Sequence, residues 1–235
     1  MDSMLNFIGT GGAFSNKYVN NSAYYLLNNK LVLFDCGETV FHEILKLDII
    51  NDNINCIDII ITHFHSDHVG SLGSLLFYCR FRKIKEVNVI FPIRELPYSL
   101  LRIYGISEEL FNVKTPSEIS DYYLKEYNQM HGDVDSQGNI IPMPSYGYHF
   151  INGEDNFFYS GDTCCIDDIV LEKFRNKEIK YLYHEVTNDG YRAHLQLDEL
   201  VSLIKLEERN RVICMHLGDG VDVGKIKKLG FRSVR

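Results

Sequence analysis

Thr62-His63-Phe64-His65-Ser66-Asp67-His68-Val69-Gly70 is the stretch on which the reading of this chain turns. Three histidines and one aspartate fall within the six positions from His63 to His68. They follow Cys56–Ile61, a run apolar at every position but Asp58, of the kind that forms a strand buried on both faces. They precede Gly70–Phe81, where apolar residues return at helical spacing. Alternate side chains of an extended segment share a face, so His63 and His65 can hold one ion. The turn then carries Asp67 and His68 toward a second position. Imidazole and carboxylate suit zinc and other borderline divalent ions. The competing explanation, solvated turn histidines, leaves their clustering without a cause.

Outward from this cluster the chain alternates strand and turn signals. Met4–Ile8 reads as a strand that runs into Gly9-Thr10-Gly11-Gly12, and Ser22–Leu27 with Lys30–Phe34 as a hairpin across Asn28-Asn29. Glu38–Leu47 has helical spacing, and Val87–Phe91 is another buried strand. In the second half, Tyr122–Tyr127 and Tyr146–Ile151 read as strands, and Asp155–Tyr159 closes a hairpin through Asn152-Gly153. Asp168–Arg175 and Leu197–Glu207 read as helices, Tyr181–Tyr183 and Arg211–Met215 as strands, with a short helix and an edge strand at the end. Two β-rich halves, each finished by helices, suggest an α+β chain in four layers, αββα, with the sheets face to face. No linker, low-complexity tract or repeat divides the 235 residues, so residues 1–235 are expected to form a single domain.

Composition narrows the partners. The formal charge is −8, from 24 Lys and Arg against 32 Asp and Glu, which disfavours tracking of a long polyanion. The one basic run, Arg80-Phe81-Arg82-Lys83-Ile84-Lys85, reads as the solvated end of a helix. Six cysteines occur without a CxxC spacing, and adjacent Cys164-Cys165 are poorly placed for a mutual disulfide. They read as reduced thiols of a reducing compartment. With no signal region and no apolar run of membrane-spanning length, the expected location is the cytoplasm.

The cluster is similar to the metal motif of the metallo-β-lactamase superfamily, and the resemblance extends through most of the chain. It implies the four-layer metallo-β-lactamase sandwich and three further ligands in order: a histidine, a bridging aspartate and a late histidine. The sequence offers His131 in Met130-His131-Gly132, Asp162 in Tyr159-Ser160-Gly161-Asp162-Thr163, and His216 in Cys214-Met215-His216-Leu217. The implied first metal site is His63, His65, His131 and Asp162, and the second is Asp67, His68, Asp162 and His216. His149 rivals His131 as the third ligand, but Tyr148-His149-Phe150 sits in a strand with a structural look. Asp35, in Asp35-Cys36-Gly37, matches the superfamily's early aspartate, which orients the histidine loop. The resemblance implies two divalent ions, zinc first and manganese as the alternative, with a metal-bridging hydroxide as nucleophile.

The second half is similar to ribonuclease Z and its phosphodiesterase relatives. The residues that carry this are Pro144-Ser145-Tyr146-Gly147-Tyr148, Ser160-Gly161-Asp162-Thr163 and His184-Glu185-Val186-Thr187, the last close to that family's His-Glu-Ala-Thr. His194, in Ala193-His194-Leu195, stands where the family has His-Ser-Thr, with Leu195-Gln196 departing from it. By this resemblance His194 protonates the leaving oxygen, Glu185 holds His194, and Asp67 takes a proton from the attacking water while remaining a ligand. His184 packs beneath the site. Ribonuclease Z grips transfer RNA with a long arm between the third ligand and the bridging aspartate. Here thirty residues separate His131 from Asp162, too few for one.

Within that branch, Gly9-Thr10-Gly11-Gly12-Ala13-Phe14 with Asn20-Asn21-Ser22 resembles the small phosphodiesterases, and the viral anti-Pycsar enzymes most of all. That resemblance implies hydrolysis of 3′,5′-cyclic mononucleotides that serve as immune signals, hence viral evasion in a host cytoplasm. It also implies a homodimer whose partner loop closes the pocket, with no membrane and no long nucleic acid as partner. Tyr122-Tyr123 could stack on a base, although core packing is the plainer role. Three rivals stand: a ribonuclease Z-type RNA-processing endonuclease, a lactonase or esterase on the same scaffold, and a catalytically dead module that sequesters a ligand.

Overall fold

A computed structural model describes residues 4–235, which gather into two compact units. The first comprises residues 4–9 and Tyr18–Ser120, and the second Thr10–Lys17 and Asp121–Arg235.

The first unit is built on a six-stranded sheet in sequence order: β1 (Asn6–Gly9), β2 (Ser22–Leu27), β3 (Lys30–Phe34), β4 (Cys56–Ile60), β5 (Glu86–Ile90) and β6 (Asn112–Lys114). β1, β2 and β3 are antiparallel, and β3 to β6 run parallel. The β2–β3 hairpin turns at Asn28, whose φ of 55° is one that asparagine tolerates. Parallel strands need crossovers, and α1 (Val40–Lys46), the short α2 (Ser66–Val69), α3 (Leu72–Phe81) and α4 (Glu95–Ile103) lie in them. β4 is buried along its whole length, and its one polar residue, Asp58, is satisfied by Lys30 at 3.1 Å and by Asn88 at 2.6 Å.

The second unit repeats the plan in a sheet ordered β14-β13-β12-β11-β10-β7. These are β7 (Tyr123–Asn128), β10 (Tyr146–Asn152), β11 (Asp155–Tyr159), β12 (Tyr181–Glu185), β13 (Val212–Met215) and β14 (Arg232–Ser233). β7, β10 and β11 are antiparallel, whereas β11 to β14 are parallel. A separate hairpin, β8 (Gly132–Val134) with β9 (Ile140–Pro142), fills the start of the segment after His131. Helices α5 (Asp168–Arg175), α6 (Leu197–Leu203) and α7 (Val223–Lys228) complete the unit. Phe158, Phe174, Leu182, Leu200, Val212 and Ile226 are its densest apolar core.

One sequence expectation needs correction. The helix expected over Leu197–Glu207 ends at Leu203, and a 3₁₀ segment follows at Leu206–Arg211. Arg209 explains the stop, because its guanidinium donates to the carbonyls of Val201, Ile204 and Leu229 and so satisfies groups a longer helix would use. Tyr122 takes the core-packing role expected as the plainer one. It is buried against Phe150, with ring centroids 4.9 Å apart.

The six cysteines are free thiols. Burial pushes Cys36, Cys79 and Cys214 up to about 12, which keeps them inert in the core. Among the described residues no helix is long and apolar enough to cross a membrane.

Candidate metal centre

In both units the chemistry-bearing side chains gather at the carboxyl ends of parallel strands, the usual place for a site in such sheets. β3 delivers Asp35, and β4 leads through Thr62 into the histidine turn. β11 leads to Asp162, β12 ends on Glu185, and β13 leads to His216. The register that pairs Glu185 with Met215 and Tyr159 with Tyr183 brings these last three strand ends level.

In the first unit the turn is held from below. The Asp35 carboxylate is buried and accepts from the Thr62 amide at 2.8 Å, the Thr62 hydroxyl at 2.8 Å and His68 Nδ1 at 2.8 Å. Because the Nδ1–H of His68 is committed to Asp35, Nε2 is the nitrogen presented to a ligand. His63 Nδ1 lies 3.1 Å from the Thr62 hydroxyl, and His63 Nε2 faces His65 Nδ1 at 3.1 Å. His68 Nε2 lies 3.3 Å from Asp67 Oδ2. Donor atoms spaced this way match the roughly 3.3 Å edge of a tetrahedral site with bonds near 2.0–2.1 Å. The donor chemistry therefore fits a divalent ion.

The loop after β3 also locks this turn. Cys36 N–H donates to the His68 carbonyl at 2.7 Å, and Gly37 packs against the Asp67 backbone. A Cβ at Gly37 would lie 1.9 Å from the Asp67 carbonyl oxygen. Gly37→Ala is expected to lower stability by about 3 kcal/mol or more, as backbone overpacking does. Urea unfolding checks this, and an unchanged midpoint would show that the loop yields freely.

In the second unit, Asp162 Oδ2 lies 3.9 Å from His131 Nε2, 3.5 Å from His216 Nε2 and 3.8 Å from His194 Nδ1. His131, Asp162, Glu185 and His194 each offer a ligand atom within 4.8 Å of the others. His131 donates through Nδ1 to the Ala193 carbonyl at 3.0 Å, which again leaves Nε2 as the presented nitrogen. His149 lies on β10 and meets Asn156 Oδ1 at 3.0 Å and the ring of Tyr123. His184 is buried, with Nδ1 donating to the Glu185 carbonyl at 2.7 Å.

His194 stands on the loop before α6, tied down by Leu195 N–H to Thr163 O and Thr187 N–H to Leu195 O, both at 2.9 Å. Its Nδ1 meets Glu185 Oε2 at 2.6 Å. Glu185 is fixed in turn by the Thr163 amide. Burial alone would lower the His194 pKa, but the Glu185 carboxylate outweighs it, so the imidazolium is held above the ordinary histidine value. Burial and Asp162 push Glu185 up, yet its bonds to His194 and His216 bring it below the usual carboxylate value.

Asp35 (φ 61°) and His216 (φ 53°) both occupy left-handed backbone, as does Gly161 (φ 61°) just before Asp162. Such conformations are strained for residues with a side chain, and they bend the chain sharply at the strand ends. No sequence pattern marks the strained positions at Asp35 and His216.

The solved structures with a similar fold define the class. One is the metallo-β-lactamase fold protein YhfI from Bacillus subtilis, 14% identical, with TM-score 0.73 over 97% of this chain and 94% of that one. Another is the short form of human tRNase Z, 18% identical, with TM-score 0.67 over 92% and 93% of the two chains. This is a metallo-β-lactamase-fold chain that carries clustered histidine and carboxylate donors in each unit. The profile of the anti-Pycsar protein Apyc1 family matches residues 3–234, and the chain belongs to that family. An anti-Pycsar protein Apyc1 of Bacillus phage 010DV004 is 29% identical over 244 residues, which span 93% of this chain and 90% of that protein.

Proposed function

We propose that this chain is a metal-dependent phosphodiesterase that opens 3′,5′-cyclic mononucleotides. The observation that carries the reading is the His194–Glu185 pair, bonded at 2.6 Å and set beside Asp162. The family's name, which opposes it to Pycsar, supports removal of an immune signal as the biological role.

The proposed ligands are His63, His65, His131 and Asp162 for one ion, and Asp67, His68, Asp162 and His216 for the other, both zinc. Bound ions would supply Lewis acidity and make hydroxide available at neutral pH. The chain's own residues do the rest. Asp35 fixes the tautomer and angle of His68, and Asp67 takes the proton from the attacking water. His194 gives its proton to the departing ribose oxygen, and Glu185 keeps it charged and aimed until then.

The segment between His131 and Asp162 supports a small substrate over a transfer RNA. It is occupied by the β8–β9 hairpin and by β10 and β11, which leaves no arm. The active form is taken to be a homodimer in the cytoplasm, which the mass in solution and cell fractionation would check.

Metal-loaded protein incubated with 3′,5′-cyclic AMP, GMP, CMP and UMP is expected to yield linear monophosphates, and a chelator is expected to stop it. A fully metallated protein that opens none of the four would sink the proposal. Cleavage of a neutral lactone in their place would favour the esterase reading.

A further inference from the structure

The second unit contains a cavity of about 470 Å³ that His194, His216 and Glu185 line at one part of its wall. Phe14 and Tyr191 line it elsewhere. The volume lies within the range of small-molecule sites and suits one mononucleotide. Phe14 is fully exposed at 100%, although a phenylalanine ring gains most when it is covered.

The loop that carries Phe14 is not loosely held. Leu217 N–H donates to the Thr10 carbonyl at 2.9 Å, and Ser15 N–H donates to the Gly12 carbonyl at 3.1 Å. The Ser15 hydroxyl donates to Asp219 Oδ1 at 2.5 Å, and the Asn16 amide donates to Asp219 Oδ2 at 3.2 Å. Gly12 lets the loop pass close to His216, since a Cβ there would lie 3.3 Å from His216 Cε1. The chain thus presents an uncovered aromatic ring on a braced loop, in the same cavity as the imidazoles of His194 and His216. Ordering a ring before the ligand arrives reduces the entropy lost on binding.

We propose that Phe14 is the surface on which the nucleotide base stacks, so that it sets affinity for the base while His194 and the metal ligands handle the phosphate. The inference rests on the phosphodiesterase reading above. Tyr191, half-exposed with its ring 5.7 Å from that of His194, forms the inner part of the same apolar wall. Stacking uses the π-face that every base has, so Phe14 favours large bases over small ones and reads no hydrogen-bond pattern.

The test compares metal-loaded wild type, Phe14→Ala and Phe14→Tyr on cyclic AMP, cyclic UMP and an abasic control, methyl riboside 3′,5′-cyclic phosphate. Phe14→Ala is expected to raise KM for cyclic AMP about tenfold or more, less for cyclic UMP, with a much smaller change in kcat. Tyrosine is expected to restore the wild-type KM. An unchanged KM for cyclic AMP would overturn the inference, as would an equal rise on the abasic ester. Adenosine 5′-monophosphate affinity, measured by calorimetry, separates this from a failure of the enzymatic reading. Even with no turnover, a tenfold weaker fit to Phe14→Ala supports base stacking, and equal affinities refute it.

Discussion

Asp162→Asn is expected to reduce hydrolysis by about 10³-fold or more and to leave fewer than two ions per chain. Asp162 Oδ2 stands 3.9 Å from His131 Nε2 and 3.5 Å from His216 Nε2, so a single oxygen faces the presented nitrogens of these two ligand candidates. An amide keeps the shape but loses the charge. Without it, a carboxylate that would help hold the ions is lost, along with several kcal/mol of the transition-state charge stabilisation they would supply. Two readouts are needed: metal content by plasma mass spectrometry and kcat/KM on a cyclic nucleotide. A third guards against misfolding. In the metal-free protein, Asp162 repels the Glu185 carboxylate and attracts the His194 imidazolium, so removing its charge has opposed effects. The metal-free variant should therefore melt close to wild type, while the rise in Tm on adding metal shrinks. Two ions per chain with near wild-type turnover would exclude Asp162 as the bridge.

His194→Ala is expected to lower kcat on a 3′,5′-cyclic nucleotide by roughly 10²–10⁴-fold, the usual contribution of a positioned general acid. The ribose oxygen is a poor leaving group and needs a proton as it departs. His194 is built to give one, since Glu185 holds its Nδ1 at 2.6 Å and keeps the ring charged. The discriminating substrate is bis(p-nitrophenyl) phosphate, whose leaving phenolate departs unprotonated. On it the loss should fall to about tenfold or less, because only positioning by the imidazole is removed. Equal losses on both esters would mean that His194 acts by holding Asp162, 3.8 Å away, and not by proton transfer.

How much of this could be seen in the residues alone depends on how local each signal is. The β2–β3 hairpin forms at Asn28-Asn29 as expected, and the β10–β11 hairpin turns at Gly153-Glu154, one residue past the expected Asn152-Gly153, because turn chemistry and flanking alternation lie within a dozen residues. β4 and the histidine turn are equally local. Helix α4 escaped notice, since Pro97 reads as a breaker. It stands in the first turn, however, where the missing N–H has no partner to lose. The β8–β9 hairpin was missed because its strands are three residues each, too short for a period to register.

Which side chains can bind metal, and which strands carry them, is written in the residues, because ligand chemistry and strand patterning are properties of short segments. Which donors meet is a property of the folded chain. Glu185 reaches His194 because the chain just past β12 is tied to the loop before α6 by backbone bonds, Asp162 reaches His216 because β11, β12 and β13 run parallel in one register, and His131 is held near Asp162 by the Cys164 N–H bond to the Met130 carbonyl. The left-handed backbone at Asp35 and His216 belongs to the same level, since the energy that sustains strain comes from packing around it. So does the exposure of Phe14, which looks like any core residue until the fold leaves it uncovered beside a cavity.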